Sequence, residues 1–332
     1  MPISLKSGEV LRGRYKIRER IGQGGAGSIY LADDLRLEGR LCALKEVEYD
    51  RALPDNIREE ARNQFLREAT ILARLDHPNL PKVSDFFSNG LRDYLVMDYV
   101  PGDDLRTIIL EARRRKTFTS EILVLGWAHQ LANALSYLHS QDPGIVHRDI
   151  KPSNLKITPS GLLKLVDFGL VKIMAPDQEM TITVIQGQGT ALYTPLEQYG
   201  NDQIHTDARS DVYAFGATLY HLLTNEPPAD ARKRFIQPAS LIPPREINSA
   251  IASRTEKAIL WAMALHPDDR PDSMESLSRF LFGGGEIPTR PRPPQTAFEG
   301  PHLGLFGGQT DVTLAFVAGA LLLVSLIATL IR

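Results

Sequence analysis

The sequence predicts an α+β fold in two lobes, a small strand-rich lobe followed by a larger helical one. Two observations carry this prediction. Through the first hundred residues, short apolar runs of strand character are interrupted by a single helical stripe; beyond "YLVMDYV" the apolar positions recur at helical period. A third observation is that residues 14–282 mix strands, amphipathic helices and turns without any fixed-period repeat. A ligand cleft between the two lobes is the natural expectation.

The elements follow in order. "YKIRERI" and "SIYLADD" flank a glycine cluster, and "LCALKEVEY" is a third strand. From Ile57 to Leu75, Phe65, Leu72 and Leu75 form an apolar stripe, which predicts a helix. Trp127, Leu131, Leu135 and Leu138 share one face of a second helix, with Ser120 as its expected N-cap. A hairpin is expected next, "NLKI" and "LLKLV" about the turn "TPSG". "SDVYAFGATLYHLLT" is apolar nearly all round and reads as a buried helix. "SRTEKAILWAMALH" opens with Ser253 and Glu256 at capping-box spacing and stops before Pro267.

The chain has 332 residues, 43% apolar and 23% charged, which excludes wholesale disorder. A net charge of -2 gives no reason to expect nucleic acid as a partner. The basic run Arg113–Lys116 reads as a solvated helix end. The single cysteine, Cys42, can form neither an internal disulfide nor a thiolate metal site and is expected as a core thiol. The N-terminus shows no apolar stretch of a signal peptide.

Chemistry concentrates in a few motifs. Gly22, Gly24 and Gly27 give G-x-G-x-x-G, whose backbone N–H groups could meet phosphate oxygens. Alone the motif is weak, since a glycine hairpin without a ligand has the same pattern. A dinucleotide-binding fingerprint needs a helix straight after the loop, and "SIYLADD" alternates like a strand instead. Lys45 lies on an apolar strand, and a lysine there is costly to bury without a counter-charge. Glu68, on the predicted helix, is its expected partner, and the pair would direct the ammonium toward ATP phosphates.

"VHRDIKPSNLKIT" is far sharper. Transfer of a phosphoryl group to a hydroxyl needs a carboxylate near the attacking oxygen, a cation on the transferring phosphate and oxygen ligands for magnesium. Asp149 fits the first role, Lys151 the second, and Asn154 with Asp167 of "VDFG" the third. H-R-D-x-K-x-x-N followed by D-F-G, downstream of the glycine loop, Lys45 and Glu68 in that order, is highly specific.

On these motifs residues 14–282 resemble a complete eukaryotic-type protein kinase domain, of the membrane-anchored bacterial serine/threonine branch. The resemblance implies a two-lobed protein-kinase-like fold with ATP in the cleft, protein substrates with Ser or Thr acceptors, and Mg2+ as cofactor. It places Met97 at the gatekeeper and lets Asp98 and Val100 offer backbone hydrogen bonds to adenine. Ile29 and Ala43 join the ATP-binding set, and Asp104 matches the ribose-contacting acid. Thr190 is implied near Asp149, Glu197 pairs with Arg270, Asp211 holds the catalytic loop backbone, and His147 stacks with Phe168, Leu72 and Val83. Arg148 beside Asp149 implies an anion from the activation loop, with Thr181 and Thr183 as phosphorylation candidates and a second copy as the modifying kinase. Two departures are "PLE" for the usual Ala-Pro-Glu, and Lys156 where relatives put an apolar residue under the adenine. A catalytically weak pseudokinase scaffold would be favoured by degraded metal ligands, and a small-molecule phosphotransferase would lack "GTALYTPLEQYG"; neither condition is met.

Residues 283–311 are dense in Gly and Pro and read as a linker with a reach of roughly 30 Å. Residues 312–331 carry no charge, and twelve of them are Leu, Ile, Val or Phe. Twenty helical residues span about 30 Å, so this segment is expected as a C-terminal transmembrane helix. ATP chemistry then puts the kinase domain on the cytoplasmic side, and Arg290 and Arg292 agree with the positive-inside rule. Ala315 and Gly319 form a small-xxx-small pair that would favour self-association.

Overall fold

The structure is a computed structural model, and it describes residues 5–24, 27–49, 54–167, 172–173, 191–199 and 206–283. The smaller lobe is a six-stranded antiparallel sheet in the order β1-β2-β3-β4-β6-β5 with one helix. Its strands are β1 (Val10–Leu11), β2 (Tyr15–Gly24), β3 (Gly27–Asp34), β4 (Leu41–Glu48), β5 (Val83–Asn89) and β6 (Arg92–Asp98), and α1 (Asp55–Leu72) lies between β4 and β5. The sheet buries Tyr15, Ile17, Tyr30, Leu44, Phe87, Tyr94 and Val96 in one cluster. Cys42 belongs to it, 1% exposed, and burial pushes its thiol up to about 11. Buried charge in this lobe is paired: Arg14 grips Asp34 with two hydrogen bonds of 2.8 and 2.7 Å, and Glu46 accepts from Tyr30, Tyr94 and Arg92.

The larger lobe is helical: α2 (Leu105–Arg114), α3 (Glu121–His139), α4 (Ala208–Thr224), α5 (Ala231–Ile236), α6 (Pro244–Ile247), α7 (Ser253–Ala262) and α8 (Met274–Gly283). Short antiparallel pairs, β7 (Ile145–Val146) with β10 (Lys172–Ile173) and β8 (Leu155–Ile157) with β9 (Leu163–Leu165), frame the segment 147–154. α4 is buried along nearly its whole length, and Leu131, Leu135 and Leu138 of α3 are no more than 1% exposed. These two helices form the core on which segment 147–154 rests.

Some local expectations need correction. α1 starts two residues before Ile57 and ends at Leu72, short of Leu75. Ser120 does precede α3 but makes no side-chain cap bond. The capping box at Ser253 is absent: Ala252 occupies the N-cap, Ser253 lies inside the helix, and the Glu256 carboxylate accepts the Arg245 N–H at 3.0 Å. Spacing alone cannot show that the start of α6 offers the better donor.

Two glycines are fixed by close approach. Gly27 has φ +144°, and a Cβ there would stand 1.8 Å from the Glu46 carbonyl oxygen. Gly102 has φ +101°, and its Cβ would stand 2.0 Å from the Ile157 carbonyl oxygen, locking the crossing between lobes against β8. No helix among the described residues is long and apolar enough to cross a membrane. The expected membrane segment 312–331, the linker, and Phe168, Thr181, Thr183 and Thr190 lie outside the described residues.

Candidate functional site

Lys45 sits inside β4, opposite Ile29 of β3 and Leu95 of β6, and is 7% exposed. A buried ammonium needs a counter-charge, and it finds the carboxylate of Asp167, with which it forms an ion pair across the cleft. Burial pushes the Asp167 carboxyl up, but the Lys45 ammonium outweighs it and holds the group below its usual range. Arg148 and Asp167 have φ of +67° and +66°, left-handed conformations that a non-glycine residue adopts at a cost.

The expected Lys45–Glu68 pair is not made in this arrangement. Glu68 accepts instead from Gln64 Nε2 at 3.2 Å, one turn back on α1. Burial pushes the Glu68 carboxyl up to about 7, and the Lys45 ammonium is paired with Asp167 instead. Among the described residues the Arg148 side chain has no hydrogen-bond partner for Nε or Nη2, both buried, and burial pulls its guanidinium down to about 10.

Segment 147–154 gathers the sharpest motif into one cluster. The Asp149 carboxylate is 8% exposed at residue level and accepts Lys151 Nζ on both oxygens at 2.8 Å. Asn154 Nδ2 donates to the Asp149 carbonyl at 2.8 Å and to its carboxylate at 2.9 Å. The charged and amide donors fix the direction of the carboxylate. Held so, it can orient a hydroxyl and accept its proton, with the Lys151 ammonium close enough to follow developing negative charge.

Beneath the segment, fully buried Asp211 of α4 accepts the backbone N–H groups of His147 and Arg148, each at 2.8 Å, and meets His139 Nε2 at 2.9 Å. Burial pushes the Asp211 carboxyl up, but the His139 bond and the other donors hold it below its usual range. His147 is also fully buried, and burial drives its imidazole down, so no proton-transfer role attaches to it. Arg270 meets Glu197 through two hydrogen bonds of 2.7 and 3.0 Å, and Ser210 Oγ donates to the same carboxylate at 2.8 Å. Sequence reasoning missed His139 and Ser210. The only signal for either was its place on the buried face of a helix.

At the rear of the cleft Met97 is 5% exposed and pairs with Ala43 and Val83 across the sheet. The Asp98 N–H is spent on the Lys82 carbonyl at 3.0 Å, so an adenine contact from Asp98 must use its carbonyl; Val100, next but one, is buried. Asp104 caps α2 by accepting the Thr107 N–H at 2.8 Å and forms a backbone bridge to Lys156. Lys156 Nζ lies over the Tyr99 ring, 5.7 Å from its centroid.

The family model for the protein kinase domain matches residues 15–279. The chain belongs to the protein kinase family. A protein named probable serine/threonine-protein kinase from Clostridium acetobutylicum is 35% identical over 269 residues, 79% of this chain and 38% of that one. The serine/threonine-protein kinase PknB of Mycobacterium tuberculosis is 33% identical over 85% of this chain and 45% of its own length. This kinase chain thus spans less than half the length of these curated relatives. Among solved structures, the apo form of PpkA-294 superposes with a TM-score of 0.67 at 28% identity, covering 84% of this chain and 99% of that one. The PknI kinase domain of Mycobacterium tuberculosis gives 0.62 at 27% identity, with 85% and 100% covered.

Kinases of this family use magnesium, and the residues present fit it. The Asn154 amide nitrogen is committed to Asp149, which turns the hard amide oxygen the other way. The Val166 N–H donates to the Asn154 carbonyl at 2.8 Å, which sets that amide beside Asp167. One carboxylate and one amide oxygen suit an ion that completes its shell with water and substrate phosphates.

Proposed function

We propose that this chain is an ATP- and magnesium-dependent protein serine/threonine kinase. The observation that carries the reading is the Asp149 carboxylate held by Lys151 and Asn154 on one side of the cleft, with Asp167 beside Asn154 and ion-paired to Lys45 of the opposite lobe. Asp149 orients the acceptor hydroxyl and takes its proton, and Lys151 balances charge on the transferring phosphoryl group. Lys45 would hold the ATP phosphates with Glu68 as its counter-charge, and Asp167 would serve magnesium. Magnesium bound by Asn154 and Asp167 would neutralise the phosphate oxygens. Gly22, Gly24 and Gly27 cover the phosphates, and Ile29, Ala43, Met97, Asp98, Val100 and Asp104 hold the nucleoside. A weak pseudokinase scaffold has less support, since Lys45, Asp149, Asn154 and Asp167 are all present.

Regulation and location belong to the same reading. The Arg148 guanidinium, whose Nε and Nη2 have no hydrogen-bond partner among the described residues, supports an incoming phosphate on Thr181 or Thr183, added in trans by a second copy. The uncharged segment 312–331 supports a single-pass C-terminal anchor with the kinase domain on the cytoplasmic face.

The test is incubation of the full chain with γ-labelled ATP, magnesium and a general protein substrate, followed by phosphoamino-acid analysis. Label on Ser and Thr is expected; label on Tyr alone, or none, would sink the proposal. Mass spectrometry of the labelled protein should find Thr181 or Thr183 modified.

A further inference from the structure

The turn between α2 and α3 presents an unusual surface. Phe118 is 46% exposed, Ile122 85% and Leu123 49%, the last two in the first turn of α3. Immediately before them stands the basic run 113–116. Arg113 pairs with Glu226 at 2.9 Å and Arg115 with Glu111 at 3.4 Å. Glu121, the acid that follows in the sequence, accepts the Ala252 N–H at 3.1 Å. Arg114 and Lys116 have no acidic partner among the described residues, so the turn keeps net positive charge beside its apolar side chains.

The turn is built rather than loose. Lys116 adopts φ +55°, its N–H meets the Arg113 carbonyl at 3.0 Å, and the Thr117 N–H meets the Ala112 carbonyl at 3.0 Å. Asn225, the left-handed cap of α4, donates from Nδ2 to the Thr117 carbonyl at 2.8 Å. Large apolar side chains held outward by such a frame mark an interaction surface.

What covers it follows from where the chain leaves the folded lobe. Glu275, at the start of α8, is bonded by Ser136, and Phe282, at its end, stacks on His129 at 5.1 Å. α8 therefore runs antiparallel to α3, and its exit at Gly283 points toward the N-terminal end of α3. The same end holds the start of α7, where Ala252 touches Glu121 and Arg254 lies 6.0 Å over the Phe280 ring. Beyond Gly283 the sequence continues to the linker and to the uncharged segment 312–331.

We propose that the turn 114–123 is a membrane-docking surface that seats on anionic lipid headgroups, with Arg114 and Lys116 on the phosphates and Phe118, Ile122 and Leu123 in the acyl boundary. This rests on the anchoring reading and adds to it an orientation: the tail tethers the kinase, and the turn holds it against the bilayer with one end down. Basic residues near an anionic surface are each worth about a fivefold gain in binding, and apolar insertion adds to it.

The experiment uses the full chain with Ser120→Cys carrying an environment-sensitive dye. Ser120 is exposed and makes no cap bond, and Cys42, the one native thiol, is buried and resists labelling. The protein is reconstituted into nanodiscs of brominated phosphatidylcholine, with or without phosphatidylserine. The dye is expected to be quenched severalfold more in the anionic discs. That excess should vanish at about 1 M salt, where the screening length is only about 3 Å. Arg114→Glu with Lys116→Glu should abolish the excess quenching while the protein still co-elutes with the discs. Equal quenching in both lipids, or quenching that survives charge reversal, overturns the proposal while leaving the anchor standing. Failure of the wild type to co-elute with either disc overturns the anchor and the proposal with it. A dye shift that grows with protein concentration without lipid assigns the surface to a second copy and overturns the lipid assignment.

Discussion

The Lys45 ammonium is ion-paired with Asp167, while Glu68, the acid expected to hold it, is bonded to Gln64. Three neighbouring charged groups therefore stand in an exchange of partners. Asp167 is both the counter-ion that permits Lys45 to be buried and the carboxylate proposed for magnesium. Binding of the metal and ATP would draw Asp167 away and leave Lys45 to seek Glu68. That coupling gives Glu68 a protonation-dependent role.

The Glu68 carboxyl has its folded value raised from 4.5 to about 7 by burial. Between those values the folded protein keeps a proton that the unfolded chain has released, so stability falls with rising pH through that window and levels off above it. Glu68→Gln should match the wild type at the acid end and become progressively more stable than it up to about pH 7, by several degrees in Tm. The same variant should lose about tenfold or more in kinase activity, because an amide cannot hold the ammonium in the nucleotide-bound state. Thermal melts of both proteins across the window check this; a gap that does not change with pH contradicts it.

Asp211→Asn tests the support of the catalytic segment. One amide oxygen cannot replace two carboxylate oxygens that accept from His147, Arg148 and His139. Donors left buried without an acceptor should cost about 3 kcal/mol. For a domain of this size that lowers Tm by roughly 6–12 °C. Calorimetry finding no change would show that the segment is held elsewhere.

Lys156 and Lys164 face each other across β8 and β9. Like charges on paired strands repel, and the two ammoniums separate, Lys164 to the Leu80 carbonyl at 3.1 Å and Lys156 to the Tyr99 ring. The Lys156 stem can then line the cleft while its charge rests on the Tyr99 ring. Lys156→Leu should keep kinase activity and leave the KM for ATP unchanged or lower. A large rise in KM would show that the ammonium itself binds nucleotide.

Much of the site was legible because its chemistry is local in sequence. Asp149, Lys151 and Asn154 lie within six residues, and their spacing alone puts them on one loop. The alternation of lobes was legible for the same reason, from short-range apolar periods. What the sequence could not give depends on how separate elements sit together. Whether Lys45 meets Glu68 or Asp167 turns on the position of α1 against β4, and on a burial cost that no spacing encodes. The Ser253 cap failed because the Arg245 N–H of α6 competes for Glu256. The basic run at 113–116 was read as a plain solvated helix end, since neither the exposure of Ile122 nor the exit direction of α8 is visible until the helices are packed.

The central claim is that Asp149 handles the acceptor proton in phosphoryl transfer. The most direct measurement compares the full chain with its Asp149→Asn variant under labelled ATP and magnesium, at matched protein stability. Asn keeps the shape and the Lys151 and Asn154 neighbours but cannot take a proton, so the rate of label transfer should fall by about 10²–10⁴-fold. Equal labelling of the two proteins, or none in either, would contradict the account.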